Sequence, residues 1–280
     1  MNLSVVIITF NEEANIGRTL ASLRSFLYDL RGEPGGGEII IVDSGSTDRT
    51  IEIAKSLDAK IYSEEWKGYA AQKNSAIEKA AGTWILSLDA DEVVSPELLK
   101  EIWRAITKQN ALRLEQPSDS PAFVDAFSMP RQNMLLQRPI RHGGFWPDRK
   151  VRLFRKGKGR FAMRPVHESV HVTGRIAKLD GPLIHHSYPT LSDYIEHMNR
   201  YSSLGAEMIV ASAKGKVRFS VMNIVLRPLA TFLYNYVLRL GFLDGREGLL
   251  LHLYHAVYVS WKYAKAWELS RKQEPPRSSS

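Results

Sequence analysis

The chain has no cysteine among its 280 residues, which excludes disulfides and thiolate metal sites and permits a reducing cytosolic setting. It also lacks the G-x-G-x-x-G dinucleotide fingerprint after its first predicted strand, and any G-x-x-x-x-G-K-[ST] loop. These absences argue against a dehydrogenase and a P-loop NTPase. The opening MNLSVVIITFNEE lacks the basic region and cleavage site of a signal peptide, so we expect none.

Acidic residues are scarce in the second half of the chain. Residues 1–125 hold 13 Lys and Arg against 20 Asp and Glu, a net charge of −7. Residues 126–280 hold 25 against 10, a net charge of +15, and together they give the overall +8. Such an asymmetry indicates two tasks, because a basic half suits an anionic membrane, a phosphorylated acceptor or nucleic acid.

Apolar runs in the first half alternate with helical patterns. Strands are predicted at 3–10, 38–42, 60–63 and 85–89, and helices at 15–27, 49–57 and 69–80, with Asn11 as a plausible N-cap of the first helix. A strand–helix–strand series of this kind predicts an α/β fold with a parallel sheet and right-handed crossovers.

The stretch WILSLDADE places Asp89 and Asp91 one residue apart, just past a buried strand, with Glu92 next. Two such carboxylates repel each other unless a cation lies between them. Mg²⁺ usually takes one or two carboxylates plus substrate phosphate oxygens, which favours a metal carrying a nucleotide diphosphate. The alternative is a solvated acidic loop before a helix that begins near Ser95-Pro96.

Polar residues directly follow three of the predicted strands. They are Thr9-Asn11-Glu12, Asp43-Ser44 and Asp89-Asp91. Ligands of open α/β sheets bind outside the carboxyl ends of the strands, so we expect these clusters to line one nucleotide-sized crevice.

Four motifs together resemble family 2 glycosyltransferases. They are VVIITFNEEANI, IIIVDSGSTDRT, a Lys-Asn pair before A-I-x-x-A-x-G, and WILSLDADE, and they cover about residues 3–105. Within the family the chain is most similar to bacterial lipopolysaccharide-core β-glucosyltransferases, through FWPDRKVRLFR, VHESV and GFLDGREG. The resemblance implies the Rossmann-like GT-A fold, with a mostly parallel sheet flanked by helices.

The resemblance also implies a metal-dependent, inverting transfer of a sugar from a nucleotide-diphosphate donor to a glycan or glycolipid acceptor. Asp91 would be the main ligand of Mg²⁺ or Mn²⁺, and Asp89 would touch that metal or the ribose. Asp43 would bind the base and Lys73 the pyrophosphate. Thr9, Asn11 and Glu12 would border the nucleoside.

Inverting transfer needs a base that takes the proton of the acceptor hydroxyl. Glu168 lies 79 residues past Asp89, an interval similar to that of the family, and Asp148 is the alternative. Zinc is not predicted, because the adjacent His185 and His186 lack helical i, i+4 spacing.

The remainder divides by composition. We predict a nucleotide-sugar-binding half at 1–110, an acceptor-side half at 111–215, an amphipathic helical extension at 216–270 and a disordered tail at 271–280, with a linker or loop at 106–125. The apolar segments 219–243 and 249–267, flanked by Lys and Arg, predict peripheral attachment to the inner face of the cytoplasmic membrane. The alternative is a helical pair packed on the catalytic domain.

Two other functions stay open on the sequence. A nucleotidyltransferase also uses a parallel sheet and acids, although TFNEEAN lacks the glycine-rich basic loop expected of one. A non-catalytic membrane or nucleic-acid binding module would explain the basic half. Such a module would not need the four acidic residues Asp43, Asp89, Asp91 and Glu168. We therefore predict no nucleic-acid partner. Donor sugar, acceptor and oligomeric state depend on pocket and surface shape, which the sequence does not give.

Overall fold

A computed structural model describes residues 3–24, 37–116, 120–162 and 169–273. The chain divides into two compact units, one of residues 1–132 and 148–185 and the other of residues 133–147 and 186–280. The predicted domain boundaries at residues 110, 215 and 270 stay predictions.

The first unit begins with four parallel strands. They are β1 (Leu3–Thr9), β2 (Gly37–Asp43), β3 (Lys60–Ser63) and β4 (Trp84–Asp89). Strand β1 pairs with both β2 and β4, and β2 pairs with β3, all in parallel. The βαβ series predicted from the sequence is confirmed by these pairings.

The sheet continues with strands of mixed direction. These are β5 (Glu92–Val94), β6 (Ala126–Leu135), β8 (Asp148–Arg155), β11 (Ile176–Lys178) and β12 (Leu183–Tyr188). The order is β3-β2-β1-β4-β8-β6-β12-β5, with β8 antiparallel to both β4 and β6. Strands β9 (Gly159–Phe161) and β10 (Val170–Val172) form a separate antiparallel pair.

Helices cover both faces of the parallel strands. They are α1 (Ile16–Ala21), α2 (Thr50–Ser56), α3 (Tyr69–Lys79) and α4 (Pro96–Glu115). Side chains alternate along a strand, so Val5 and Ile7 pack with Leu20 of α1, whereas Val6 packs with Ile77 of α3. Burial on both faces explains why these strands are apolar throughout.

Two sequence-based predictions about local structure in the first unit are wrong. Residues 106–115 belong to α4 rather than to a loop, because Ile106 and Gln109 are buried and extend the packed face of that helix. Asn11 does not cap a helix: it has a positive φ of 54°, and α1 begins only after Asn15.

The second unit is mainly helical. Strand β7 (Arg138–Pro139) pairs with the end of β6, and α5 (Leu191–Ser212) begins with a capping box between Thr190 and Asp193. Next come a π-helical turn at Met222–Leu226, α6 (Arg227–Phe232), a second π-helical turn at Leu233–Leu238, a 3-10 turn at Gly241–Asp244, and α7 (Gly245–Gln273).

Helix α7 extends past residue 271, where a disordered tail was predicted, and residues 274–280 lie outside the described part. Within the described ranges, none of the helices combines the length and the apolar character that crossing a membrane requires.

Candidate active site

The parallel register brings the predicted polar residues to one edge of the sheet. Thr9 is opposite Asp43, and Ile8 is opposite Asp89, so strands β1, β2 and β4 end at the same level. Ser63, at the end of β3, is opposite Asp43 in the same way. The expectation that the three polar clusters share one edge is therefore confirmed.

Asp43 is fully buried and organises the loop that follows β2. Its Oδ1 accepts hydrogen bonds from the backbone N–H of Gly45 (2.9 Å) and Ser46 (2.8 Å). Its Oδ2 accepts from the hydroxyls of Thr9 (2.8 Å) and Ser46 (2.5 Å). These four donors engage both oxygens in protein contacts, and the predicted contact of Asp43 with the base stays a prediction.

The loops after β1 and β2 are tied together by side chains of the two motifs. Asn11 donates its N–H to Ser46 Oγ (2.9 Å), and its Oδ1 accepts from the Thr47 N–H (2.8 Å). The N–H of Glu12 donates to Thr50 Oγ1 at 2.7 Å. The left-handed conformation of Asn11, which Asn adopts more readily than most residues, permits this crossing. The predicted role of these side chains beside the nucleoside is untested.

Asp89 lies between two cations. Its Oδ1 is 2.7 Å from Lys73 Nζ, and its Oδ2 is 2.5 Å from Arg152 Nη2. Burial raises the pKa of Asp89, but the charges of Arg152 and Lys73 outweigh burial and hold that pKa well below its ordinary value. Lys73 is itself buried, with its Nζ 5.1 Å from the centre of the Phe161 ring. Lys73 therefore contacts Asp89 here, and its predicted reach to a pyrophosphate stays a prediction.

Arg152 joins Asp89 to a second carboxylate. The same Nη2 is 2.6 Å from Oε1 of Glu92, which is fully buried, and Glu92 Oε2 accepts from the Asp89 N–H at 3.1 Å. Burial lowers the pKa of Arg152, but Asp89 and Glu92 outweigh that effect and raise it above its ordinary value. The guanidinium thus stays charged between two carboxylates that would otherwise repel each other.

A β-bulge aims Arg152 into this position. Phe127 of β6 is opposite Leu153 of β8, but the next residue, Ser128, is opposite Val151. Arg152 is therefore the extra residue on β8. Bulges of this kind redirect a side chain and are frequent beside active sites.

Asp91, two residues after Asp89, contacts a histidine. Its Oδ2 is 3.2 Å from His185 Nε2, and its side chain keeps about a quarter of its surface exposed (24%). His185 is opposite Glu92 in the β5–β12 pairing, which fixes its place beside the acidic turn. The negative charge of this turn also acts on Glu12. Burial raises the pKa of Glu12, and the charges of Asp91, Asp48 and Asp89 raise it further.

The protein supplies few ligand atoms for Mg²⁺ or Mn²⁺ at this turn. Among the residues described, no group of three or more His, Asp or Glu side chains is arranged to hold a metal ion. Mg²⁺ needs only one or two protein carboxylates when phosphate oxygens complete its shell, so the partly exposed Asp91 fits such an ion. His185 Nε2 faces the Asp91 carboxylate and, as an imidazole nitrogen, suits Mg²⁺ less well than an oxygen ligand does. Asp89 fits poorly as a direct ligand, because both of its oxygens face cations.

One of the two candidate bases, Asp148, lies among the described residues. Glu168 lies outside the described residues. Asp148 is 2.7 Å from Arg131 Nη2 and 2.9 Å from Lys150 Nζ. Burial raises the pKa of Asp148, but Lys150 and Arg131 outweigh burial and lower it, which makes this carboxylate a weaker base.

Sequence reasoning missed Arg152 and His185 as members of this site. Arg152 belongs to the FWPDRKVRLFR segment. The alternation of inward and outward side chains along a strand does not reveal that a bulge in β8 redirects this residue. His185 is adjacent to His186, and this spacing argues against zinc without indicating another role. Its antiparallel pairing with β5, which the sequence does not reveal, is what brings it to Asp91.

Replacing Arg152 by Met should lower the free energy of unfolding by about 3–5 kcal/mol, because the fully buried Glu92 loses its nearest cation and Asp89 loses one of its two. Urea denaturation followed by circular dichroism measures the loss. Adding Glu92→Gln to Arg152→Met should restore part of the stability. Arg160→Met is the matched control, since the Arg160–Glu78 pair is exposed and should contribute less than about 1 kcal/mol. Equal losses for Arg152→Met and Arg160→Met would contradict the bridging role.

Comparisons with known proteins agree with this geometry. The model of "Glycosyl transferase family 2" matches residues 4–164. The lipopolysaccharide core biosynthesis glycosyltransferase LpsC of Rhizobium meliloti is 31% identical over 95% of this chain and 92% of its own. An uncharacterized glycosyltransferase of Rickettsia typhi is 30% identical over 96% of this chain and 88% of its own.

A solved structure shares the fold. It is the mannosyltransferase PcManGT from Pyrobaculum calidifontis in complex with GDP-Man and Mn²⁺, with a TM-score of 0.53, 16% identity, and coverage of 98% of this chain and 88% of that one. The GT-A-like α/β fold is thereby confirmed, and the family match favours a glycosyltransferase over a nucleotidyltransferase or a non-catalytic module. The chain belongs to glycosyl transferase family 2 and is an enzyme of that family.

Proposed function

We propose that this enzyme moves a sugar, with inversion, from a nucleotide-diphosphate donor to an acceptor hydroxyl. The observation that carries the proposal is the register that ends β1, β2 and β4 at one edge, with Asp91 one residue beyond Asp89. In α/β sheets this edge is where nucleotides bind. The residues proposed to surround the donor are Thr9, Asn11, Glu12, Asp43, Lys73 and Asp89.

Asp91, with His185 beside it, is the proposed holder of Mg²⁺ or Mn²⁺. When bound, the ion would neutralise negative charge on the departing diphosphate. Asp89 has a different task in this proposal. With Lys73 and Arg152 on its two oxygens, it fixes the start of the acidic turn and keeps Lys73 near the donor phosphates.

The proposed transfer is a single displacement at the anomeric carbon. The acceptor oxygen forms a bond to that carbon as the bond to the diphosphate oxygen breaks, and a base takes the hydroxyl proton. Glu168 is the proposed base and Asp148 the alternative. The lowered pKa of Asp148, with its ion pairs to Arg131 and Lys150, supports Glu168 by comparison.

The proposed acceptor is a lipopolysaccharide-core or other lipid-linked glycan. The name of the Rhizobium relative, a lipopolysaccharide core biosynthesis glycosyltransferase, supports this choice. A lipid-linked acceptor also suits the strongly basic second half of the chain. The proposed location is accordingly the inner face of the cytoplasmic membrane, with peripheral attachment and a donor that arrives from the cytosol.

Purified enzyme incubated with a panel of nucleotide sugars should release nucleotide diphosphate from one or a few of them, and only with Mg²⁺ or Mn²⁺ present. Asp91→Asn keeps the shape and removes the charge, so we expect it to abolish this release while the fold is kept. Asp58→Asn, an acid in a turn of the first unit, is the control. Release by Asp91→Asn within a few-fold of wild type would contradict the metal assignment.

Glu168→Gln should lower kcat for transfer by about 10²-fold or more, since a positioned general base typically contributes about 10²–10⁴. Donor affinity, measured by calorimetry, should change little because the base faces the acceptor. Asp148→Asn is the matched comparison and should lose less activity. If Asp148→Asn is inactive while Glu168→Gln turns over normally, the two roles must be exchanged.

A further inference from the structure

One surface of the second unit exposes an unusual amount of apolar area. Along the two π-helical turns and α6, a stripe of apolar side chains recurs at helical spacing, and Leu240 follows just after the second turn. Each of these residues is 47% to 62% exposed to solvent. We call this stripe the outer face. Its members are Met222, Val225, Leu226, Leu229, Leu233, Val237 and Leu240. Contiguous apolar area of this kind marks an interaction site rather than an ordinary surface.

The opposite side of the same segment packs on α7. Ser260 Oγ donates to the Ile224 carbonyl at 2.7 Å, and the Phe219 ring lies 5.2 Å from that of Trp267. The ring centres of Tyr236 and His252 lie 6.2 Å apart. As the residue number rises along the segment, that of its partner on α7 falls, so the segment runs antiparallel to α7. The outer face is therefore the side turned away from the helix that supports it, and it is held in place rather than free to fold inward.

The charge around the outer face has one sign. Residues 219–243 contain no Asp or Glu, and the cations are Arg227 and Arg239 within the segment and Lys214, Lys216 and Arg218 just before it. Arg227 contacts the Tyr263 hydroxyl, and Arg239 lies 5.1 Å from the Tyr234 ring, so both guanidinium groups have aromatic support. An occupant of this surface must accept apolar side chains and carry negative charge.

A second copy of this chain fits these requirements badly. A two-fold interface places a surface against itself, so the positively charged segment of one copy would face that of the other. No acidic residue between 219 and 243 could compensate that repulsion. An anionic bilayer meets both requirements, because acyl chains receive the apolar stripe and lipid phosphates receive the cations.

We infer that the outer face docks on an anionic lipid bilayer. The segment lies in the plane of the membrane, with its leucines at the boundary between headgroups and acyl chains. Arg227, which contacts Tyr263 of α7, and Arg239, which lies over the Tyr234 ring, place their positive charge in the same segment as the stripe, at the level of the headgroups. Two arginines within the apolar stretch favour this in-plane placement over a deeper one. The inference rests on the peripheral attachment proposed above and names the surface that makes it. Lipid binding is measured without donor or acceptor, so its failure is distinguishable from a failure of the proposed transfer reaction.

The absence of cysteine permits a direct test with full-length protein. A polarity-sensitive fluorophore is attached at Leu233→Cys on the outer face or, as a matched control, at Leu114→Cys, which is 90% exposed on α4 of the first unit. Vesicles of phosphatidylcholine with phosphatidylglycerol should shift the emission at position 233 to shorter wavelength and leave position 114 unchanged. Phosphatidylcholine alone should give a smaller shift, and salt well above 0.1 M should weaken binding because it screens the cations.

A second pair of variants tests the apolar part without a label. Leu229→Ser combined with Leu233→Ser should reduce sedimentation with anionic vesicles by about tenfold or more, whereas Leu114→Ser should not. The inference is overturned if wild-type protein fails to sediment with anionic vesicles at low salt, or if both labelled positions respond alike. A shift at position 233 that follows protein concentration without lipid, together with a dimer by light scattering, would assign the surface to a second copy instead.

Discussion

The guanidinium of Arg152, buried between Asp89 and Glu92, is the interaction on which the candidate site depends. Two carboxylates three residues apart in one turn would repel each other in a buried setting, and neither could stay ionised without a cation. Arg152 reaches both from β8, within 2.5 and 2.6 Å, because a bulge makes it the extra residue of that strand. The end of β4 is thereby fixed by a residue about sixty positions later in the chain.

This arrangement gives the neighbouring acids different surroundings. Asp89 is held by Lys73 and Arg152, whereas Asp91 lies beside His185 and keeps part of its surface exposed. Asp43 plays a comparable organising role one strand away, where four donors fix it and the loops after β1 and β2 interlock around it. A rigid edge of this kind can orient a donor without rearranging.

Local sequence patterns predicted most of the parallel half of the sheet, because strands that are buried on both faces are apolar throughout. Strand β3 also lies at the predicted residues, 60–63. The helical pattern of α4 fades in the sequence toward its exposed end at Leu114, which explains why residues 106–115 were predicted as loop. The acids of the site were found because they directly follow strands. Arg152 and His185 reach the site through antiparallel pairings and a bulge, which are long-range features without a local signal.

The most direct test of this account is Mn²⁺ binding, measured by electron paramagnetic resonance in the presence of a nucleoside diphosphate such as UDP or GDP. If Asp91 is the ligand and Asp89 is held by its cations, Asp91→Asn should weaken Mn²⁺ binding by about tenfold or more, and Asp89→Asn should weaken it distinctly less. The Mn²⁺ affinity of His185→Gln should lie between those of wild type and Asp91→Asn. Equal loss in Asp89→Asn and Asp91→Asn, or unchanged binding in Asp91→Asn, would contradict the division of tasks between the two aspartates.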